Sequence, residues 1–566
     1  MRFARIRRGH RHAFARRALL AAAAVLLGGC ATRAPEVGLQ AISPLALQAH
    51  MAYLADDRFQ GRMTGTAEYE LAARYVASQF RAIGLEAGMG QSFLQPVPLI
   101  SGTLDIPRSA LVLHGVPGGR TLRFREDYVV YANLADAHQH VRAPLVFAGH
   151  GVVAEDLGHD DYAGLDVRGK IVVLFPRAPA TFPADERAFY SSSLRKAQDA
   201  AARGAVGVIS IRNQYSRERY PWEKQARNAG TQPTMRWQQA DGTAAAMASG
   251  IQGKALLADT TAEALFAQGP HPLADLLARE AAGDALPGFT LPVEAEIVTH
   301  TRLRRLQSSN VLGRLPGTDP ERAGEHVVLV AHLDHLGVGA AVAGDAIYNG
   351  AYDNAMGVGL MIETARALKA RGTRRSVLFA AVTAEERGLL GSHYLARHPP
   401  ASVTAMSAAI TLDMPLLLFP MQEVIGFGGE HSSLQAFVER AAAAENVALA
   451  PDPLPDEVLF VRSDHYSFVR EGVPGLFFFP GFHSADDAVD GQALVMAHLA
   501  EHYHKPSDDL LRPVHWPSAV RFARINVRLA ELIANSPEPP AWKPDNVFAR
   551  HFARPAALPS TPAGTP

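Results

Sequence analysis

Apolar residues recur at helical spacing from Pro44 through Leu47, Met51 and Leu54 toward Phe59, which predicts a helix. A second helix is predicted over residues 67–84, with Leu71, Tyr75, Phe80 and Ile83 as its core face and Gly84 as its stop. From about residue 96 to residue 303 the texture changes. Strand-like runs at 110–114, 144–147 and 170–175 are separated by many turn residues, and an alanine-rich helix at 194–203 leads into a buried-type strand at 204–209. None of these segments offers a dense cluster of catalytic residue types, so they read as an inserted β-rich domain.

From Asn310 onward strand and helix patterns alternate. Strands are predicted at 327–331, 376–382, 407–412 and 475–479, and helices at 357–371, 391–398, 433–446 and 517–535. Such alternation predicts an α/β fold, a mostly parallel mixed sheet flanked by helices. Ligands then belong at the carboxyl ends of the strands. Residues 537–566 are rich in Pro and Ala and are predicted to form a disordered tail.

Composition supports this division. The chain has 566 residues and is 48% hydrophobic, enough for a large core and more than one domain. The N-terminus stands apart. Seven Arg between Arg2 and Arg17 precede a short apolar run, residues 18–27, and then Leu27-Gly28-Gly29-Cys30. The run is too short to span a bilayer, and the whole reads as an export signal. It resembles a bacterial lipobox, with Cys30 as the lipidated first residue of the mature chain and residues 30–43 as a tether. Cys30 is the only cysteine, so no disulfide can form within the chain. Loss of residues 1–29 moves the formal charge from −1 to about −8. That balance excludes a general attraction for nucleic acid and makes the acyl group on Cys30 the expected membrane attachment. Ala31 after the cysteine resembles lipoproteins sorted to the outer membrane, facing the periplasm or the exterior.

The candidate chemistry lies in the second half. His332 and Asp334 follow the 327–331 strand, and a His at a strand end can present a ring nitrogen to a metal while a nearby Asp orients it. Asp353 precedes a predicted helix, where a carboxylate serves either as an N-cap or as a bridge between two metals. Glu385 and Glu386 are adjacent, so both point inward only on a sharp turn. One can then bind metal while the other, unligated, takes a proton from the attacking water. Asp413 ends an apolar strand, where a cation compensates a buried charge. His504 lies near His498 and His502, so neighbour density does not select it. Each residue alone has an ordinary structural reading; their order and spacing do not.

Taken together, the series resembles the M28 family of zinc-dependent exopeptidases, relatives of bacterial leucyl aminopeptidases. The residues that carry the resemblance are Val330-Ala331-His332-Leu333-Asp334-His335-Leu336-Gly337, the 349–357 loop, Thr383-Ala384-Glu385-Glu386-Arg387-Gly388, Leu412-Asp413-Met414, Ser463-Asp464-His465 and Tyr503-His504-Lys505-Pro506-Ser507-Asp508. It covers residues 44–95 and 305–536, leaving 96–304 as an insert that resembles a protease-associated domain. The resemblance implies two zinc ions per chain. Asp353 would bridge them, Glu386 and His504 would complete one site, and His332 and Asp413 the other. Glu385 would be the general base and Asp334 the partner of His332. The implied reaction is removal of N-terminal residues from peptide substrates by a metal-activated water. The same fold also serves carboxypeptidases and glutaminyl cyclases, and a non-catalytic peptide-binding lipoprotein is a further alternative. Two departures bear on selectivity. Tyr352 and Met356 stand in a loop that in the family usually reads Ala-Asp-Asp-Asn, and Met414-Pro415-Leu416 replaces a common Met-Ile-Gly. Tyr352 and Met356 are therefore candidates for substrate contact, as are Asp464 and His465, which either orient substrate or fix a loop.

Overall fold

The computed structural model describes residues 38–116 and 122–553. The expected export signal, Cys30 and most of the expected tether lie outside the described residues, as does the end of the expected tail. Among the described residues no helix is long and apolar enough to cross a membrane.

Helix α1 (Pro44–Leu54) starts where Ser43 accepts the N–H groups of Leu45 and Ala46, with proline at its first turn. Helix α2 (Ala67–Ile83) is capped by Thr66 and ends at Gly84, whose φ of 84° suits a residue without a Cβ. The buried face of α2 differs from expectation. Leu71 is 50% exposed, and the helix docks through Tyr69, Ala72, Ala73, Val76 and Phe80. Small alanines let the helix approach the sheet closely, and that turns Leu71 outward.

The strands that follow are β1 (Leu94–Leu104), β2 (His138–Phe147), β3 (Ile171–Leu174), β4 (Gly207–Ser210), β5 (Gly253–Leu257) and β6 (Phe289–Leu315), with helices α3 (Ala184–Tyr190) and α4 (Ser193–Ala202) between β3 and β4. Strands β2, β3, β4 and β5 lie side by side and parallel in the insert. The 27-residue β6 ties the insert to the rest. Its first part pairs antiparallel with β2, and its second part with β1 and then with β8 (Ser376–Val382) of the other domain. The texture change expected near residue 304 therefore falls inside one continuous strand. Both domains share a backbone ladder there, which is stiffer than a linker.

In the second domain β7 (Glu325–His332), α5 (Gly357–Arg371), β8, α6 (Leu390–Arg397), β9 (Ala405–Leu412), β10 (Glu423–Phe427), α7 (Leu434–Ala443), β11 (Gly475–Pro480) and α8 (Trp516–Asn535) follow in order. Across the sheet the order is β10-β11-β9-β7-β8-β6. The four inner strands β11, β9, β7 and β8 run parallel, while β10 and β6 flank them antiparallel. Every residue of β8 is buried, and so is every residue of β7 after the first, because helices cover both faces. Continuous apolar runs rather than alternation are what such strands require.

The insert is also held by side chains. Trp237 donates its indole N–H to Nδ1 of His393 on α6 at 3.2 Å. Arg187 and Arg219 pair with Asp456 and Glu457 at 2.7 and 3.1 Å. Residues 537–553, expected to be disordered, instead pack. Trp542 bonds the carbonyl of Gly472 at 2.9 Å. Helix α9 (Val547–Phe552) lays Phe548 between Phe189 of α3 and Phe460. Pro and Ala are frequent in the segment, but Trp542, Phe548 and Phe552 supply the apolar contacts that order it.

Candidate metal centre

Three adjacent parallel strands, β9, β7 and β8, end on one edge of the sheet, and the ligand-type residues gather there. His332 is the last residue of β7, Asp413 follows β9, and Glu385 and Glu386 stand three and four residues past the end of β8. Parallel strands place all their carboxyl ends on one side, which is why residues 81 positions apart meet. Nε2 of His332 lies 3.0 Å from Oδ1 of Asp413 and 3.1 Å from Oδ1 of Asp353. Nε2 of His504 lies 3.3 Å from the other oxygen of Asp353 and 3.2 Å from Oε2 of Glu386. Asp353 thus faces a group on each side, one oxygen to each.

Local backbone makes this convergence possible. Ala384 has a φ of 57°, which turns the chain sharply enough for Glu385 and Glu386 both to enter the centre. Met414 and His504 also lie in the left-handed region, at 41° and 57°. Three such residues at one centre mark where the fold holds strained backbone in place. Asp508 accepts the main-chain N–H groups of Tyr352 and Asp353, both at 3.0 Å, and so anchors the turn that carries Asp353. Ser463 donates to Oδ2 of Asp413 at 2.6 Å.

Beneath the centre lies Arg62, fully buried. Its guanidinium donates to the carbonyls of Leu54, Leu333, Asn349 and Gly350 at 2.6–2.9 Å. It thereby ties the turn after β7 to the loop before Asp353. Burial lowers its pKa to about 10, and the nearby carboxylates Asp353, Asp508, Asp334 and Glu386 keep it charged.

The electrostatics separate the two adjacent glutamates. Burial pushes Glu385 well above the ordinary carboxylate range; His332 opposes this, while Asp413, Glu386 and Asp464 add to it. For Glu386 burial acts in the same direction but is outweighed by His504, and its pKa falls to about 2. Asp353 is likewise held well below its usual value against burial, by His335, His332 and His504. Burial lowers His504, but Glu386 and Asp353 raise it to about 10. Two neighbours with pKa values driven apart fit a divided task. One carboxylate stays ionised as a ligand and one is tuned toward proton transfer.

Three expectations are corrected by the geometry. The carboxylate of Asp334 does not reach the ring of His332. Nδ1 of His332 meets the main-chain carbonyl of Asp334 at 3.0 Å, while the carboxylate accepts the N–H of Glu385 at 3.0 Å and the hydroxyl of Thr64 at 3.1 Å. The turn after β7 directs that side chain toward the end of β8. Tyr352 and Met356 are both 0% exposed and belong to the main core. The Tyr352 hydroxyl donates to the carbonyl of Pro513 at 2.6 Å, so the ring points away from the centre. Neither residue lines a substrate path. Asp464 and His465 are also wholly buried. Asp464 acts on the centre by charge, its own pKa raised by burial to about 7, and His465 lies between the rings of Phe460 and Phe477.

His335, Asp508, Arg62 and Thr64 were not singled out from sequence. His335 and Asp508 stand inside the quoted motifs, three and four residues from His332 and His504. Two groups of donor atoms gather closely enough to hold a cation, His332 with Asp353 and Asp413, and His335 with Asp353 and Glu386. The residues present fit divalent metal. Both ring nitrogens of His335 and Oε1 of Glu386 are buried without a hydrogen-bond partner, a costly arrangement that a cation would relieve. Mixed imidazole and carboxylate donors suit zinc, cobalt or manganese.

No curated protein matches the chain. Among solved structures, the aminopeptidase from Aneurinibacillus sp. strain AM-1 shares 19% identity over 89% of this chain and 97% of its own, with a TM-score of 0.50, and so shares the fold. BSAP, a zinc aminopeptidase from Bacillus subtilis, shares 18% identity over 87% and 95% with a TM-score of 0.41. A peptidase M28 precursor from Shewanella amazonensis SB2B shares 18% over 89% and 99% with a TM-score of 0.40. Residues 141–256 match the profile of the PA domain, and residues 310–530, which span every ligand-type residue above, match that of peptidase family M28. The chain therefore carries a peptidase family M28 domain with a PA domain inserted into it.

Proposed function

We propose that this protein is a metal-dependent exopeptidase that removes N-terminal residues from peptides with two zinc ions, attached to the cell envelope through a lipid on Cys30. One observation carries the catalytic part. His332, Asp353, Asp413, Glu386 and His504 converge at the carboxyl ends of parallel strands, with Glu385 beside them and its carboxyl raised by burial. Bound divalent cations would supply a polarised substrate carbonyl and a water whose pKa falls to about 7. Asp353 holds the two halves of the centre together through its two oxygens. Glu385 takes a proton from the attacking water and passes it to the leaving amine. A carboxyl raised in this way suits a group that must both take up and release a proton. Asp334 and Thr64 hold the turn on which Glu385 sits.

The test pairs elemental analysis with a panel of free-amine, N-blocked and free-carboxyl peptides. Two metals per chain with cleavage confined to free-amine substrates is expected. Cleavage confined to peptides with a free carboxyl end would assign the chain to carboxypeptidases instead. Glu385→Gln should keep its metal and lose about 10²–10⁴ in kcat, the span of general-base catalysis. Full turnover in that variant would move the base elsewhere. Cys30→Ala should shift the protein from the membrane to the soluble fraction.

A further inference from the structure

His335 adds an imidazole to the centre that the expected ligand series does not contain. It lies three residues beyond His332 and its side chain is wholly buried. Nδ1 stands 2.7 Å from Oε1 of Glu386 and 3.8 Å from Oδ2 of Asp353. The close Nδ1–Oε1 contact lies off the hydrogen-bond axis, and Nε2 has no hydrogen-bond partner. A ring that merely oriented Glu386 would aim its N–H along that line. The ring position is also built. A Cβ on Gly350, whose φ is 59°, would come within 2.2 Å of the Asp353 carbonyl oxygen and 2.6 Å of the His335 ring, so the loop packs closely on both. His504 approaches the same two carboxylates from the other side, its ring 5.8 Å from that of His335.

We infer that His335 is a fourth protein ligand of the Glu386 site, which makes the two metal positions unequal. This rests on the two-metal reading above. The Glu386 position then has two imidazoles and two carboxylates, from His335, Asp353, Glu386 and His504. The Asp413 position has one imidazole and two carboxylates, from His332, Asp353 and Asp413. Four protein donors close a tetrahedral site, whereas three leave a place for a reacting molecule. The open place therefore belongs beside His332 and Asp413. The closed position would fill first and hold its ion longer.

The experiment uses the full chain stripped of metal and given one equivalent of zinc. X-ray absorption should count two imidazoles per zinc; a count of one overturns the assignment without any variant. After exhaustive dialysis, wild type and His332→Ala should each retain one zinc per chain, while His335→Ala should bind that ion at least tenfold more weakly. Retention by His335→Ala equal to wild type also overturns it. A chain that takes up no zinc overturns the two-metal reading along with this inference, whereas two zinc ions with one imidazole each overturn this inference alone.

Discussion

Asp334 accepts the main-chain N–H of Glu385 at 3.0 Å, across the ends of two neighbouring parallel strands. Its second oxygen accepts from Thr64, whose hydroxyl oxygen in turn accepts the N–H of Ala384 at 3.0 Å. The carboxylate next to the first ligand therefore fixes the turn that presents the base. The link from Asp334 to His332 runs through its main-chain carbonyl, which any residue at 334 would keep.

Removal of the Asp334 carboxylate should thus act on proton transfer more than on metal affinity. A hydrogen bond to a charged acceptor contributes about 1.5–3 kcal/mol. Asp334→Ala should lower kcat by about 10–100-fold, at about 1.4 kcal/mol per tenfold, with metal content unchanged. Steady-state kinetics with elemental analysis of the same sample checks this; loss of metal in parallel with activity would return Asp334 to service of His332.

The stripped protein should lose stability as pH rises. His504 has a folded pKa raised to about 10, because Glu386 and Asp353 outweigh its burial. A raised base contributes its full stability below its unfolded pKa of about 6.5, and that contribution is lost as pH rises toward about 10. Its carboxylate partners are depressed, so their contribution declines only under strongly acid conditions. The Tm of chelator-treated protein should fall between about pH 6.5 and pH 10. Metal binding must displace the same proton, so zinc affinity should rise over that window, with proton release visible as a buffer-dependent calorimetric enthalpy.

Arg62 is predicted to matter for stability although it touches no substrate. Its replacement by Met takes the guanidinium donor from four carbonyls and a positive charge from beside Asp353, Asp508, Asp334 and Glu386. Removal of one partner from a buried charge network costs about 3–5 kcal/mol. Urea unfolding of Arg62→Met should show a loss of that size, and the variant should retain metal less well. A loss under about 1 kcal/mol would mean that water replaces the guanidinium, as buried water can.

The segment after Asn535 should prove structural. Phe548 is fully buried between the PA domain and the residues that lead to Ser463. Phe548→Ala should cost about 3–5 kcal/mol. Thermal unfolding that stays within a degree of wild type would show the helix to be dispensable.

Much of the peptidase domain was legible in the sequence. The runs at 327–331, 376–382 and 407–412 are strands that sheet burial on both faces requires to be apolar throughout, and each carries its charged residue just at or past its end. His332, Glu385, Glu386 and Asp413 could be found for that reason: a charge that interrupts an apolar run is visible along the chain. The direction of a side chain after the run ends is not. Turn geometry sends Asp334 to the neighbouring strand end, turns Tyr352 and Met356 into the core, and brings His335 against Glu386. The same holds for Arg62 and Asp508. Each acts on main-chain groups far away in sequence, and such partners leave no periodicity or composition to read. The ligand types and their order were thus determined by the sequence alone, whereas which atoms meet, and on which side of Asp353, was decided by the packing of turns at the edge of a parallel sheet.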